Sequence, residues 1–68
     1  MEAGWILVYT VNEPFKAEMI KGLLKEKGIL AVVINKRDSI YQSFGNVEIY
    51  VKEEHAEQAR IMTENSGL

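Results

Sequence analysis

Few residues in this chain have a type and spacing that could carry out chemistry. His55 is the only histidine, and there is no cysteine. Catalysis or metal binding by a histidine needs partner acids, bases or ligands, and the sequence offers His55 no such set. Ser39 and Ser43 have no base at a spacing that would activate a hydroxyl. We therefore predict no catalytic residue, no metal site and no cofactor, and we expect a protein that is not an enzyme.

Lys36 and Arg37 form the one positive pair that could recognise a ligand. The N-terminus of a helix attracts anions, and Asn12 is a good N-cap residue for a helix that starts near Pro14. Pro14 has no N–H to offer, however, and Glu13 already places a negative charge there. Two interpretations stay open: a site for a small anion or nucleotide at Asn12, Lys36 and Arg37, or a pair of solvated surface charges.

The elements that position these residues follow from hydrophobic periodicity. Residues 47–51 (Val-Glu-Ile-Tyr-Val) alternate strictly between apolar side chains and a charge or a ring, which indicates a half-buried strand at the centre of a sheet. Gly28 is a typical residue for ending a helix. The predicted elements are a strand at Trp5–Val11, a helix from about Pro14 to Lys27, a strand at Ile29–Asn35, the strand at 47–51 and a helix opened by Glu53 and Glu54 and ended by Asn65, Ser66 and Gly67.

Each predicted element has one apolar face. In the first strand, Ile6 and Val8 should face one side of the sheet, and Trp5, Leu7, Tyr9 and Val11 the other. The first helix should bury Ala17, Ile20, Leu23 and Leu24, with Phe15 and Met19 on its flank. The second helix should face inward with Ala56, Ala59, Met62 and the stem of Arg60.

The order β-α-β-β-α predicts one small domain over residues 1–68. A right-handed crossover makes the first two strands parallel, and the third strand fits between them, giving the strand order 1-3-2 with both helices on one face. This is the ferredoxin-like α+β plait without its last strand. The outer edge of the first strand is then open and invites pairing with another chain. Both parallel strands end at the same edge, so the start of the first helix and the loop 36–45 should meet there.

Several short segments together resemble a known family. They are Asn12-Glu13-Pro14-Phe15 after a strand, then Ala17-Glu18, Ile20-Lys21-Gly22-Leu23-Leu24, Gly28-Ile29, Gly45, Val47-Glu48-Ile49 and Val51-Lys52-Glu53-Glu54 before Ala56 and Ala59. In order and spacing the chain, from Val8 to about Met62, resembles the DUF2007 domains, small prokaryotic domains of unknown function that are linked to signal transduction and to a GlnB-like fold. The resemblance implies a β-α-β-β-α fold and a regulatory role, and it supplies no ligand or catalytic residues. In P-II signalling proteins the loop between strands two and three is regulatory, and Tyr41 lies in the corresponding loop here.

Aromatic and apolar side chains suggest two interaction surfaces. Tyr9 and Tyr50, with Leu7 nearby, are expected to share the open face of the sheet as a dimer interface. Aromatics on these two strands stack on bases in RNA-recognition motifs, but the motif's sequence pattern and fourth strand are missing. The second surface is the loop end, with Phe15, Lys36, Arg37, Tyr41 and Phe44; together with Ile40, these loop aromatics either contact a partner or fold back over the sheet end.

Overall charge and composition limit the partners. The formal net charge is −2, which gives no general attraction to nucleic acid or to an anionic membrane. Trp5–Val11 is too short to span a membrane, and the lack of cysteine fits a reducing cytoplasm. The leading hypothesis is a cytoplasmic bacterial module for regulation or protein interaction, with a homo-oligomer, a dimer above all, or another protein as partner. The alternatives are an anion or nucleotide sensor and, further behind, an RNA-binding module.

Overall fold

The computed structural model of the chain describes residues 4–36 and 47–67. Its elements are β1 (Trp5–Val11), α1 (Pro14–Glu26), β2 (Ala31–Asn35), β3 (Val47–Lys52), a 3₁₀ turn (Glu53–His55) and α2 (Ala56–Asn65). β3 lies between β1 and β2 and pairs antiparallel with both of them. The predicted α+β class, the element order and the strand order 1-3-2 are confirmed.

The core lies between the sheet and the two helices. Val47, Ile49 and Val51 alternate along β3 and are fully buried, as the period-2 pattern predicted. Both helices reach this same cluster, α1 through Ile20 and Leu24 among others and α2 through Ala59. One face of the sheet is therefore covered by helices. The opposite face, called the outer face below, carries the side chains that alternate with the core residues.

A β-bulge in β1 changes which side chains face the helices. Ile6 pairs with Val51 and Leu7 pairs with Tyr50, but the next pair is Tyr9 with Ile49, so Val8 is an extra residue. Directly opposite residues point to the same face. Tyr9 therefore lies on the helix side with Ile49 and packs against the core, and Val11, opposite Val47, is buried. The prediction that Tyr9 and Val11 share the face of Trp5 and Leu7 is wrong, because the bulge shifts the alternation by one residue.

Several element ends differ from the predictions by one or two residues. The N-cap of α1 is Glu13 in an extended conformation, not Asn12. The reason is that Pro14 occupies the first helical position, so the residue directly before it becomes the cap. β2 begins at Ala31, since the chain at Ile29 still belongs to the closing turn of α1. The second helix begins with the 3₁₀ turn, which contains Glu53 and Glu54, before α2 starts at Ala56.

The helix faces match the predictions with three exceptions. Leu23 is 38% exposed, and Arg60 is exposed, so neither belongs to the inward face. Thr63 is buried instead, at 2% exposure. Its hydroxyl donates a hydrogen bond of 2.8 Å to the carbonyl oxygen of Ala59, which satisfies the polar group inside the helix. A threonine can therefore take a core position that sequence reasoning reserves for apolar residues.

Gly28 ends α1 in the way its position predicted. Its φ is 78°, the left-handed region that side chains disfavour. Gly28 N–H donates to the carbonyl of Lys25 at 2.9 Å, and Ile29 N–H donates to the carbonyl of Leu24 at 2.9 Å. This pair of bonds is the Schellman arrangement, and the buried Leu24 and Ile29 supply its hydrophobic contact.

We expect the same substitution at two glycines to change stability in opposite directions. Gly28→Ala should lower the free energy of unfolding by about 1 kcal/mol, because alanine is strained in the left-handed region. Gly22→Ala is the matched control: Gly22 lies inside α1 and a Cβ there would meet no atom within 4 Å. It should raise the free energy of unfolding by about 0.5–1 kcal/mol through helix propensity. Urea unfolding followed by circular dichroism measures both, and equal effects at the two sites would contradict this account of the helix end.

Neither helix of the described chain, residues 4–36 and 47–67, has the length and apolar character needed to cross a bilayer.

Candidate functional site

The outer face of the sheet is the most distinctive surface of the described chain. Both helices lie on the other side, so the outer face presents its side chains away from them. Leu7 is 42% exposed there. Leu30, 68% exposed between buried Ile29 and Ala31, extends the surface just before β2. Strand pairing assigns to this face Trp5, Leu7 and Thr10 from β1, Val32 and Ile34 from β2, and Glu48, Tyr50 and Lys52 from β3.

The outer face is apolar across its middle. Tyr50 lies opposite Leu7 on one side and opposite Val32 on the other, so these three side chains form a row across all three strands. We call Leu7, Tyr50 and Val32 the middle row. Apolar side chains gathered on an exposed surface are the usual mark of an interaction site. This row supplies the surface that self-association would bury.

Glu48 lies at one end of the outer face and makes two polar contacts there. The Tyr50 hydroxyl donates a hydrogen bond to Glu48 Oε1 at 2.9 Å, and Lys36 Nζ lies 3.2 Å from the same oxygen. Both contacts therefore use Oε1 rather than Oε2. The hydrogen bond to Glu48 raises the pKa of Tyr50, with smaller contributions from burial and from the carboxylate charge, while Lys36 acts in the opposite direction. Tyr50 therefore keeps its proton and its hydrogen bond to a higher pH than an ordinary tyrosine.

Lys52 marks the other end of the outer face. It lies opposite Trp5 in the strand pairing, and its Nζ sits 4.8 Å from the centroid of the indole ring. A cation over a tryptophan face at this distance is attracted by the ring quadrupole. The outer face therefore has the Glu48 carboxylate, paired with Lys36, at one end, an apolar middle row, and the Lys52 ammonium at the other end.

The loop end is where the strand ends meet. Val11 and Asn35 both pair with Val47, which confirms that β1 and β2 end at the same edge of the sheet. Phe15 is 56% exposed in the first turn of α1 at this edge. Its predicted role in recognition stays a prediction. Arg37, Tyr41 and Phe44, together with Ser39, Ile40 and Ser43, lie within 37–46, outside the described residues.

The geometry does not favour the anion site predicted at Asn12, Lys36 and Arg37. The Lys36 ammonium is already paired with Glu48. The N-cap of α1 is the acidic Glu13, whose Oε1 lies 4.0 Å from Lys16 Nζ. Pro14 follows at the first position of the helix. An anion approaching this helix end would be repelled by the Glu13 carboxylate and would find no N–H donor at Pro14. The same bulge that moves Tyr9 also removes the predicted stacking pair, since Tyr9 and Tyr50 point to opposite faces.

No group of three or more potential metal ligands occurs in the parts of the chain that the structure describes. His55 is half-buried at the N-terminus of α2, with Nε2 3.8 Å from Glu54 Oε2. Open surface depressions occur among residues 4–36 and 47–67. One of them follows β1 from Leu7 to Thr10, and another lies on the second helical segment between Glu54 and Met62. Neither brings together the groups that a general acid–base pair or a nucleophile requires.

Sequence reasoning missed the contributions of Val32, Ile34 and Lys52 to the outer face. The charges at Glu48 and Lys52 gave a usable signal, because residues four apart on a strand share a face. The sequence of β2 gave no signal for Val32 and Ile34, because β2 is apolar on both faces and does not reveal which side faces out. The sequence placed Leu7 and Tyr50 on this face correctly.

These features define a small α+β protein with a three-stranded antiparallel sheet, helices on one side and a mixed apolar and charged surface on the other. Residues 5–67 match the DUF2007 family, described as "Putative prokaryotic signal transducing protein", and the chain belongs to that family. No curated protein and no solved structure matches the chain.

Proposed function

We propose that this protein is a non-enzymatic module for regulation or protein interaction that works by self-association, as a dimer above all. The proposal includes a ferredoxin-like or GlnB-like plait and a bacterial cytoplasmic setting. Self-association would use the outer face or the free edge of β1, and the loop end, with Phe15 and residues 36–45, would remain exposed to recognise a partner. The family description, "Putative prokaryotic signal transducing protein", supports a regulatory role.

One observation carries the proposal: the middle row of apolar side chains lies on the side of the sheet opposite both helices. At 68 residues the chain has a modest core, and small domains often add stability by oligomerisation. The β1 edge is the weaker of the two routes, because a bulge twists a strand and disturbs regular pairing with another edge. The outer face is therefore the surface that we expect to be buried first.

The test is the solution mass of the protein by light scattering, over a concentration series that reaches the millimolar range. We expect a dimer, and we expect Leu7→Thr combined with Val32→Thr to weaken it at least about 10-fold, because both changes remove apolar surface from the interface of each copy. Threonine suits a strand, so the monomer should keep its fold.

Ile61→Thr is the control, since Ile61 is 51% exposed on α2, away from the outer face. It should leave the dimer unchanged. If the affinity of the dimer were unchanged by the Leu7 and Val32 substitutions, the outer face would be excluded as the interface. The β1 edge would then be the next surface to test. A wild-type protein that stays monomeric throughout the series would overturn self-association itself.

A further inference from the structure

We infer that the partner of the outer face is a second copy of this chain, packed face to face about a two-fold axis that lies between the two sheets and runs parallel to the middle row. The inference rests on the proposed self-association and goes further by fixing its geometry. In this arrangement the two β3 strands run antiparallel, and Glu48 of each copy lies opposite Lys52 of the other. The outer face is complementary to itself, which is the requirement for a two-fold interface.

The charge order along β3 supports this arrangement. Glu48, Tyr50 and Lys52 occupy successive outer positions, so the two charges are symmetric about Tyr50. Four residues of strand separate them by about 14 Å, too far for direct pairing within one copy. A two-fold axis that lies between the two sheets and runs across the strands, parallel to the middle row, turns the two outer faces toward each other and reverses the direction of β3. It brings a carboxylate over an ammonium at both ends.

The alternative two-fold axis runs along β3 and would make the two β3 strands parallel. It would place Glu48 over Glu48 and Lys52 over Lys52 of the second copy, and like charges in contact disfavour association. The charge pattern therefore selects one of the two face-to-face arrangements. Both present the same middle row to the partner, so apolar burial alone does not distinguish them.

The flanking residues fit the same arrangement. Trp5 and Leu30 lie at the Lys52 end, and Thr10 and Ile34 at the Glu48 end. Exchange of the two ends brings apolar residues of one copy to both ends of the other, beside the charged pairs. Within each copy, the contacts of Glu48 with Tyr50 and Lys36 both use Oε1. Lys52 of the second copy can therefore approach Oε2.

The size of the face sets the expected strength of the dimer. Three strands and five residues give a footprint of about 14 by 17 Å. The area of this footprint, the product of the two lengths, is well below the roughly 800 Å² that each partner buries in a standard interface. The dimer therefore belongs to the transient class. Such a dimer forms and dissociates with concentration, which suits a regulatory module and makes charge substitutions easy to detect.

Charge reversal tests the arrangement. In the Glu48→Lys homodimer, the lysine introduced at position 48 would face Lys52 of the other copy. In the Lys52→Glu homodimer, Glu48 would face the introduced glutamate. We expect each single variant to dimerise at least about 10-fold more weakly than the wild type, because two attractive contacts become repulsive in each dimer. The double variant should recover an affinity within about 3-fold of the wild type, since it exchanges the two charges and restores both pairs.

Mixing the two single variants tests whether the outer face itself is the interface. In a heterodimer of Glu48→Lys with Lys52→Glu, one copy carries lysine at both positions and the other carries glutamate at both. The introduced lysine then faces the introduced glutamate, and Glu48 faces Lys52. Light scattering should therefore show dimer in the mixture at concentrations where each variant alone is monomeric. Glu64→Lys and Lys25→Glu, both at exposed helical positions, reproduce the same net charges. Alone or mixed, these controls should behave like the wild type.

The outcomes separate the geometry from the function. If the wild type dimerises but the single variants dimerise equally well, or the mixture gives no heterodimer, this two-fold arrangement is wrong while self-association stands. If the wild type does not dimerise at any concentration, the proposed self-association fails and the arrangement fails with it. Circular dichroism confirms that each variant is folded. Repulsion between Lys36 and the lysine introduced at position 48 is present in the double variant too, so it cannot account for a recovery.

Discussion

Ile49→Ala should remove a large part of the free energy of unfolding of this protein. Ile49 is fully buried at the middle of the central strand, between Tyr9 of β1 and Val33 of β2. Removing three carbons from such a site costs about 3–4 kcal/mol, from lost burial and from the cavity that remains. A domain of this size has a total stability of only about 3–10 kcal/mol. The loss is therefore at least about a third of the free energy of unfolding.

The measurement is urea unfolding followed by circular dichroism and by the fluorescence of Trp5, the single tryptophan. Ile61→Ala is the matched control, because the same atoms are removed from a side chain that is half exposed on α2. Its cost should stay below about 1 kcal/mol, partly because alanine favours a helix. Similar costs at the two positions would contradict the placement of Ile49 at the centre of the core.

The parts of the fold that the sequence predicted well are those in which one face is polar and the other apolar. β3 alternates Val47, Ile49 and Val51 with Glu48 and Tyr50, so its buried face follows from the period alone. α1 has a helical stripe and a glycine stop at Gly28, and its end was predicted within one residue. The strand order 1-3-2 then followed from the order of the elements and the handedness of the crossover.

The bulge in β1 could not be predicted because the strand has almost no polar marker. Six of its seven residues are apolar or aromatic, and Thr10 is the exception. Strict alternation puts Thr10 on the side of Ile6 and Val8, whereas the structure turns Thr10 outward and Ile6 and Val8 inward. When a strand is apolar on both sides, a one-residue shift still places apolar side chains on the buried face. The hydrophobic pattern therefore does not reveal the shift.

The candidate site was predictable only in part, for the same reason. Leu7 precedes the bulge in β1, and Tyr50 lies on β3, which has no bulge. The sequence placed both side chains on the outer face correctly. Tyr9 follows the bulge and was misplaced. The contact of Lys36 with Glu48 joins two residues twelve positions apart, and it depends on the pairing of Ile34 with Glu48, which no local pattern specifies. Long-range pairing decides which charges meet, and periodicity does not report it.

The reversal of Tyr9 leads to a prediction that separates folding from association. Tyr9→Thr should lower the free energy of unfolding by about 2 kcal/mol, since the ring packs against the core beside Ile49 and leaves a gap when it is removed. Tyr50→Thr should cost less than about 1 kcal/mol, because the ring lies on the outer face and threonine is well suited to a strand. Each variant serves as the control of the other, because the same atoms are removed from two strands of one sheet.

The effects of the two substitutions on dimer affinity should have the opposite order, with Tyr50→Thr the more damaging. Tyr50 lies at the centre of the middle row, beside the proposed two-fold axis, so Tyr50→Thr removes the ring from both copies at the centre of the interface, where binding energy concentrates. We expect it to weaken the dimer at least about 10-fold, while Tyr9→Thr, compared at temperatures where it is folded, leaves the dimer close to the wild type. Urea unfolding and light scattering on the two variants measure both effects. If Tyr9→Thr weakened the dimer as much as Tyr50→Thr while costing no stability, the register through the bulge would be wrong, and with it the assignment of the outer face.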